Sequence, residues 1–144
     1  MDAFDADVII YAAATGHALG ERVRGLFDTG AAGEPSRAGI GSVLLLPEIL
    51  SEPMREGRDD TVMRLGVLLS RLQLLPVDEA TAELATALAA SYGLRAVDAV
   101  HLATAVGSAA DRFITNNRAD FSKSISEIVV TYPEELPSPS RAEC

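Results

Sequence analysis

The chain is nearly without cysteine. Its one thiol, Cys144, is the last residue. It cannot staple the fold from within, and a chain end is a poor place for a catalytic nucleophile. A reducing, cytoplasmic setting fits. Lysine is nearly absent as well: Lys123 stands against eleven arginines. That weighs against phosphate chemistry built on a lysine. No stretch of about 18 uninterrupted apolar residues occurs, so no membrane-spanning helix is expected. The first residues carry Asp2, Asp5 and Asp7 where a secretory leader carries positive charge. Positive charge is in deficit overall. Twelve Lys and Arg face 21 Asp and Glu, leaving −9, which argues against tight, general nucleic-acid binding through phosphate neutralisation.

What is present describes one globular domain. The 144 residues are 48% hydrophobic and 23% charged, an ordinary balance for a packed chain and not for a disordered one. A domain near this size buries roughly 68–70% of its unfolded surface and needs no staples. Residues 1–132 form that domain. Pro133, Pro137 and Pro139, with Ser138 and Ser140, make 133–144 read as a loose tail.

Short apolar runs alternate with helix-period segments. Ala3–Asp5 reads as a short strand, and Val8 to Tyr11 fits a strand or a helix equally well. Leu19, Val23, Leu26 and Phe27 predict a helix from His17 to Ala31, stopped by Gly30 and Gly33. Gly39–Val43 is a strand. Ser42 offers a turn or cap, and Pro47 suits the first turn of a helix through Glu48. Asp59–Leu72 is helical and Leu74–Val77 a strand. Asp78 caps an Ala-rich helix that ends near Gly93. Ala96–Ser108 is a helix, and Phe113–Thr115 and Ile128–Thr131 are strands. The alternation predicts an α/β fold with a mainly parallel sheet.

The carboxylates are the informative residues. Asp5 ends the first strand, Glu48 lies just past the second, and Asn117 and Asp120 follow the strand at 112–115. Ligands of open α/β sheets bind outside the carboxyl ends of strands. Asp98 falls among small apolar residues of a helix, where an unpaired acid is costly to bury. Two like charges about 4 Å apart repel by roughly 4 kcal/mol at an effective dielectric near 20. Converging acids therefore need a proton or a cation. Hard oxygen donors without a Cys or His cluster point to Mg²⁺ or Mn²⁺, and such sites activate water against phosphate esters. Each acid also has a plain structural reading: Asp5, Asp7 and Asp120 as helix caps, Glu48 as a solvated helix acid. His101, three residues after Asp98, shares its helix face.

Three stretches together resemble the PIN-domain ribonucleases, specifically the toxins of VapBC-type toxin–antitoxin pairs. They are Phe4–Ala12, Ile40–Leu50, and Gly93–Ala105 with Ala110–Phe121. The resemblance implies a Rossmann-like α/β/α sandwich and an Mg²⁺- or Mn²⁺-dependent endoribonuclease acting on single-stranded RNA. It further implies a small cognate antitoxin and a homodimer. By position, Asp5, Glu48 and Asp98 would be the metal-binding and catalytic acids. The fourth position departs from the family, with Thr115-Asn116-Asn117 where many members have Thr-x-Asp. Asp120 could supply the missing charge, with Asn117, Thr115 and Asp7 in support. RNA contacts are expected from Arg112, Arg118 and Lys123, and from Arg55 and Arg58. The apolar face Val62, Leu65, Leu68, Leu69 and Leu72 is either core or the groove that receives an antitoxin helix.

Two other readings stand beside this one. The fold could persist as a binding or regulatory module with a weakened site, which Asn117 would permit. Asp5-Ala-Asp7-Val8 also resembles the nucleophile loop of haloacid-dehalogenase phosphatases, but those need a lysine in mid-chain and here the only lysine is Lys123.

Overall fold

The structure is a computed structural model and describes residues 1–28 and 37–138. The predicted stops Gly30 and Gly33, and 139–144 with Cys144, lie outside the described residues. Five strands, β1 (Asp2–Phe4), β2 (Gly39–Ser42), β3 (Leu72–Leu75), β4 (Arg112–Ile114) and β5 (Val129–Thr131), form one sheet in the order β3-β2-β1-β4-β5. Every pairing is parallel. Six helices connect them: α1 (Ala6–Ala13), α2 (Ala18–Arg24), α3 (Leu45–Arg55), α4 (Asp59–Ser70), α5 (Glu79–Tyr92) and α6 (Ala96–Gly107).

Strand alternation divides the core into two layers. Ala3, Ile40, Phe113 and Val130 face α5 and α6, packing with Leu88, Leu102 and Phe121. Phe4 and Ile114 face the other way, into Val8, Ile9, Val23, Leu45, Leu65 and Leu69 of α1 to α4. The result is an α/β/α sandwich. The ambiguous Val8–Tyr11 run is helical, because Asp5 caps it and only one side of it is fully buried. Leu65, Leu68, Leu69 and Leu72 belong to the core, which decides against the groove reading of that face.

Local signals explain most element ends. Asp78 accepts from Thr81 N at 2.8 Å and starts α5. Gly93, at φ 67°, ends it in the left-handed region that L side chains avoid. His17 is the N-cap of α2, its Nδ1 accepting from Gly20 N at 3.0 Å. Several boundaries differ from expectation. α2 spans only Ala18–Arg24, with Gly25 as its C-cap, instead of running from His17 to Ala31, and α4 ends at Ser70 because Leu72 is taken into β3. β3 begins at Leu72, two residues early, because Leu72 pairs with Gly39 of β2. The supposed loose tail is docked over its first residues. Pro133–Glu135 forms a 3₁₀ turn, Leu136 is buried in the α1–α4 layer, and Arg22 donates to the carbonyls of Glu134 (3.0 Å) and Leu136 (2.8 Å).

Docking of that segment is testable. Leu136→Ala should lower unfolding stability by about 2–4 kcal/mol, the range for a truncated core leucine. Urea denaturation reads this directly, and a loss below about 0.5 kcal/mol would show that the segment is not part of the core.

Candidate active site

The sheet order reverses between β1 and β4, and that switch point opens a crevice at the carboxyl ends of the two strands. Register then selects the side chains. Phe4 pairs with Ile114, so the next residues, Asp5 and Thr115, emerge side by side. Phe4 and Ile114 point into the α1–α4 layer, so Asp5 and Thr115 point toward α6. The Thr115 hydroxyl donates to Asp5 Oδ2 at 2.8 Å, while Asp5 Oδ1 accepts from Ala6 N at 2.8 Å. Asp5 is thus both the cap of α1 and a member of the site. The structural and functional readings do not compete at this residue.

The other acids arrive on helix N-termini. Glu48 lies in the first turn of α3 and Asp98 in the first turn of α6. Asp7 sits in the first turn of α1 and accepts from Asn116 N at 3.0 Å, tying that helix to the loop after β4. Helix N-termini carry partial positive charge, which eases the crowding of anions. Asn117 builds the next turn: its Oδ1 accepts from Asp120 N at 3.3 Å and its Nδ2 donates to Asp120 Oδ2 at 2.8 Å. Asp120 is close enough to raise the pKa of Asp98.

Electrostatics shows how crowded the group is. Burial pushes Asp5 upward from the ordinary carboxylate range, against the hydrogen bond from Thr115 and the charge of His101. Asp98 is also raised, by burial first and then by Asp120 and Glu48, with Arg95 opposing. Asp7 is pushed up to about 7 by burial and by the neighbouring charges of Asp5 and Glu48. Asp98 Oδ2 and Asp7 Oδ1 are buried with no hydrogen-bond partner. The carboxylates are short of positive charge.

His101 supplies some of it. Its Nε2 lies 2.6 Å from Glu48 Oε2. Burial alone lowers the imidazole's pKa, but the Glu48 hydrogen bond and the charges of Asp5, Glu48 and Asp98 outweigh it, and the net shift is upward. Helical spacing shows that His101 shares a face with Asp98. It cannot show that the residue clamping the opposite acid is this one.

A family model for the PIN domain matches residues 3–124. The chain belongs to the PIN-domain family. Solved structures share the fold at low identity. A toxin–antitoxin complex from Klebsiella pneumoniae matches with a TM-score of 0.71 and 22% identity, over 92% of this chain and 98% of that one. VapBC2 from Rickettsia felis, bound to a DNA fragment from its promoter, matches at 0.69 and 18%, over 91% and 97%. FitAB bound to the IR36 DNA fragment matches at 0.68 and 19%, over 96% and 99%. Among curated proteins none matches significantly.

In this PIN domain the cations expected near RNA are mostly committed elsewhere. Arg112 opens β4, at the end of the sheet opposite the site, and forms two 2.9 Å hydrogen bonds to Asp2. Arg118 pairs with Glu134 at 2.6 Å and lies over the Tyr132 ring. Lys123 donates to Val130 O at 2.6 Å and pairs with Glu135 at 2.5 Å. Arg58 pairs with Glu56 at 2.8 Å, and Arg55 ends α3 at the far end from Glu48. The cation beside the acids is Arg95, the N-cap residue of α6. It stands 3.6 Å from Asp98 and 3.8 Å from Asp120. Sequence reasoning missed it, although its place three residues before Asp98 puts it on the same face.

The crowding predicts a pH dependence. The folded-state pKa of Asp7 is raised, so the folded protein holds a proton that the unfolded chain releases near pH 4. Stability should therefore fall as pH rises from about 4 through 7, by up to about 4 kcal/mol from this group at 1.36 kcal/mol per unit. Asp7→Asn, measured by urea unfolding in EDTA, should be more stable than wild type at pH 8 and nearly equal at pH 4. Equal stability at both would show that Asp7 ionises normally.

Proposed function

We propose that this PIN domain is a Mg²⁺- or Mn²⁺-dependent endoribonuclease of toxin type, hydrolysing phosphodiester bonds of RNA at the Asp5–Glu48–Asp98 cluster. The observation that carries it is the gathering of these acids at the β1/β4 crevice, with Asp5 and Asp98 shifted upward by burial and too little countercharge beside them. Such a site gains most from a divalent cation.

The donor set suits a hard cation. All candidate ligands are carboxylate oxygens, and the buried Asp98 Oδ2 lacks a hydrogen-bond partner. Among the described residues, no three His, Cys, Asp or Glu side chains form a ready cage. Mg²⁺ usually keeps several waters and takes one or two carboxylates directly, so Asp5 and Asp98 would hold it, with Glu48 alongside. When bound, the ion would polarise the scissile phosphate and lower the pKa of water. The chain's own residues do the positioning. Thr115 fixes the Asp5 carboxylate, His101 holds Glu48 where it can orient the attacking water, and Asn117 holds Asp120 beside Asp98.

The similar structures are toxin–antitoxin complexes, which supports a small antitoxin partner that restrains the enzyme; we propose further that the enzyme acts in the cytoplasm as a homodimer. No helix among the described residues is long and apolar enough to cross a membrane. The phosphatase reading loses ground, because the Lys123 ammonium is engaged with Val130 and Glu135. The weakened-module reading draws on the neutral Asn117, but Asp120 restores a carboxylate beside Asp98.

Purified protein should cut single-stranded RNA with Mg²⁺ or Mn²⁺ and not in EDTA. Asp98→Asn should lower the rate by at least about a hundredfold while the circular dichroism spectrum is kept. Undiminished cleavage by Asp98→Asn would remove the site assignment. Asn117→Asp adds a further negative charge, and calorimetric titration should show tighter Mn²⁺ binding; weaker binding would mean that repulsion from Asp120 dominates and that position 117 is not a ligand position.

A further inference from the structure

A cavity of about 500 Å³ adjoins the acids, lined by Leu44, Pro47, Glu48, Arg95, Val97 and Asp98. Its volume falls in the roughly 300–1,000 Å³ range of small-ligand clefts. Three lining residues are apolar: Leu44 precedes α3, Pro47 lies in its first turn, and Val97, in the first turn of α6, has 45% of its surface exposed. Glu48 and Asp98 line it as well, and Arg95 is the cation among the lining residues.

Arg95 is placed to bind something else. Its side chain is 82% exposed, and its nearest carboxylate oxygens are 3.6 and 3.8 Å away. Charge-assisted hydrogen bonds run about 2.7–2.9 Å, so both contacts are loose. Of the other cations expected near RNA, Arg112, Arg118 and Lys123 make close pairs. A guanidinium presents a planar fork of donors that matches a phosphate. A chain of net charge −9 repels a polyanion, so a local cation at the site matters more than the total.

We infer that Arg95 binds a phosphate of single-stranded RNA next to the scissile bond, and that the apolar lining of Leu44, Pro47 and Val97 receives the adjoining unpaired base. The inference rests on the nuclease reading above and adds the substrate contacts to it. Charge selects the occupant: the cation meets the phosphate, the acids stay with the metal, and the apolar lining meets the face of a base. Single-stranded RNA offers that combination, because its bases are free to leave the stack. A duplex does not.

The test is steady-state cleavage of a single-stranded RNA panel with Mn²⁺, run beside Mn²⁺ calorimetry without RNA. Variants are Arg95→Ala, Arg95→Lys and Val97→Phe; both positions are on the surface, and circular dichroism checks the fold. Arg95→Ala should raise KM about tenfold and flatten the log–log salt dependence of kcat/KM by about 0.7, the release expected for one phosphate contact on a single strand. Mn²⁺ should bind Arg95→Ala as tightly as wild type or tighter, since a positive charge has left the carboxylates. Arg95→Lys should recover part of the KM. Val97→Phe fills the cavity and should raise KM with Mn²⁺ binding unchanged. Unchanged KM and salt dependence in Arg95→Ala and Val97→Phe, with wild type cutting normally, would overturn the inference and leave the nuclease intact. Weakened Mn²⁺ binding in Arg95→Ala would overturn it too, by making Arg95 an organiser of Asp98. So would an unchanged KM with lost affinity for a protein inhibitor, which assigns the cation to that partner. If wild type cuts no RNA with either metal, the nuclease reading falls, and this inference falls with it.

Discussion

The Asp5 carboxylate is the constraint on which the rest of the structure turns. One oxygen caps α1 through Ala6 N, and the other accepts the Thr115 hydroxyl at the end of β4. A single side chain therefore joins the first strand, the first helix and the neighbouring strand. It is buried, and a buried carboxylate is tolerated only with its hydrogen bonds in place. The register of β1 on β4 supplies them. A one-residue slip would turn Asp5 into the apolar α1–α4 layer and strand Thr115 away from it.

The remaining acids follow from the same architecture. In a parallel sheet every strand ends on the same side, and each following helix begins there. Asp7 and Glu48 thus occupy the first turns of the helices that follow β1 and β2, and Asp98 the first turn of α6, which follows α5. The partial positive charge of three helix termini offsets some of the repulsion, and His101 offsets more through Glu48. What is left unbalanced appears as upward-shifted carboxylates and two orphaned oxygens. The fold accepts this destabilisation at one edge, where the sheet order reverses, and packs two well-filled apolar layers behind it. Concentrating strain at a site and compensating in the core is the usual arrangement for a functional crevice.

The departure at Asn117 is absorbed locally. Its amide holds Asp120 through both ends, so a turn of one polar and one acidic residue stands at the fourth position. Cations are distributed with equal economy. Arg22 ties the segment after β5 to α2, and Arg112 clamps Asp2 at the opposite end of the sheet. Arg95, unlike Arg22 and Arg112, faces the acids, loosely held.

Local patterns in the sequence carry the element order and the parallel α/β class. Period-2 and period-3.6 apolar spacing, the cap at Asp78 and the left-handed Gly93 need no long-range information. The family likeness named Asp5, Glu48 and Asp98 from their places at strand ends and on one helix. Only the tertiary structure decided which of them meet. The pairing of His101 with Glu48 spans 53 residues, and that of Thr115 with Asp5 spans 110, distances over which sequence spacing carries no geometry. The same holds for Leu136, whose Pro-flanked segment looks loose until α2 and Arg22 are there to receive it. It holds for the assignment of each arginine, since an exposed cation takes its role from whichever anion the fold brings within reach.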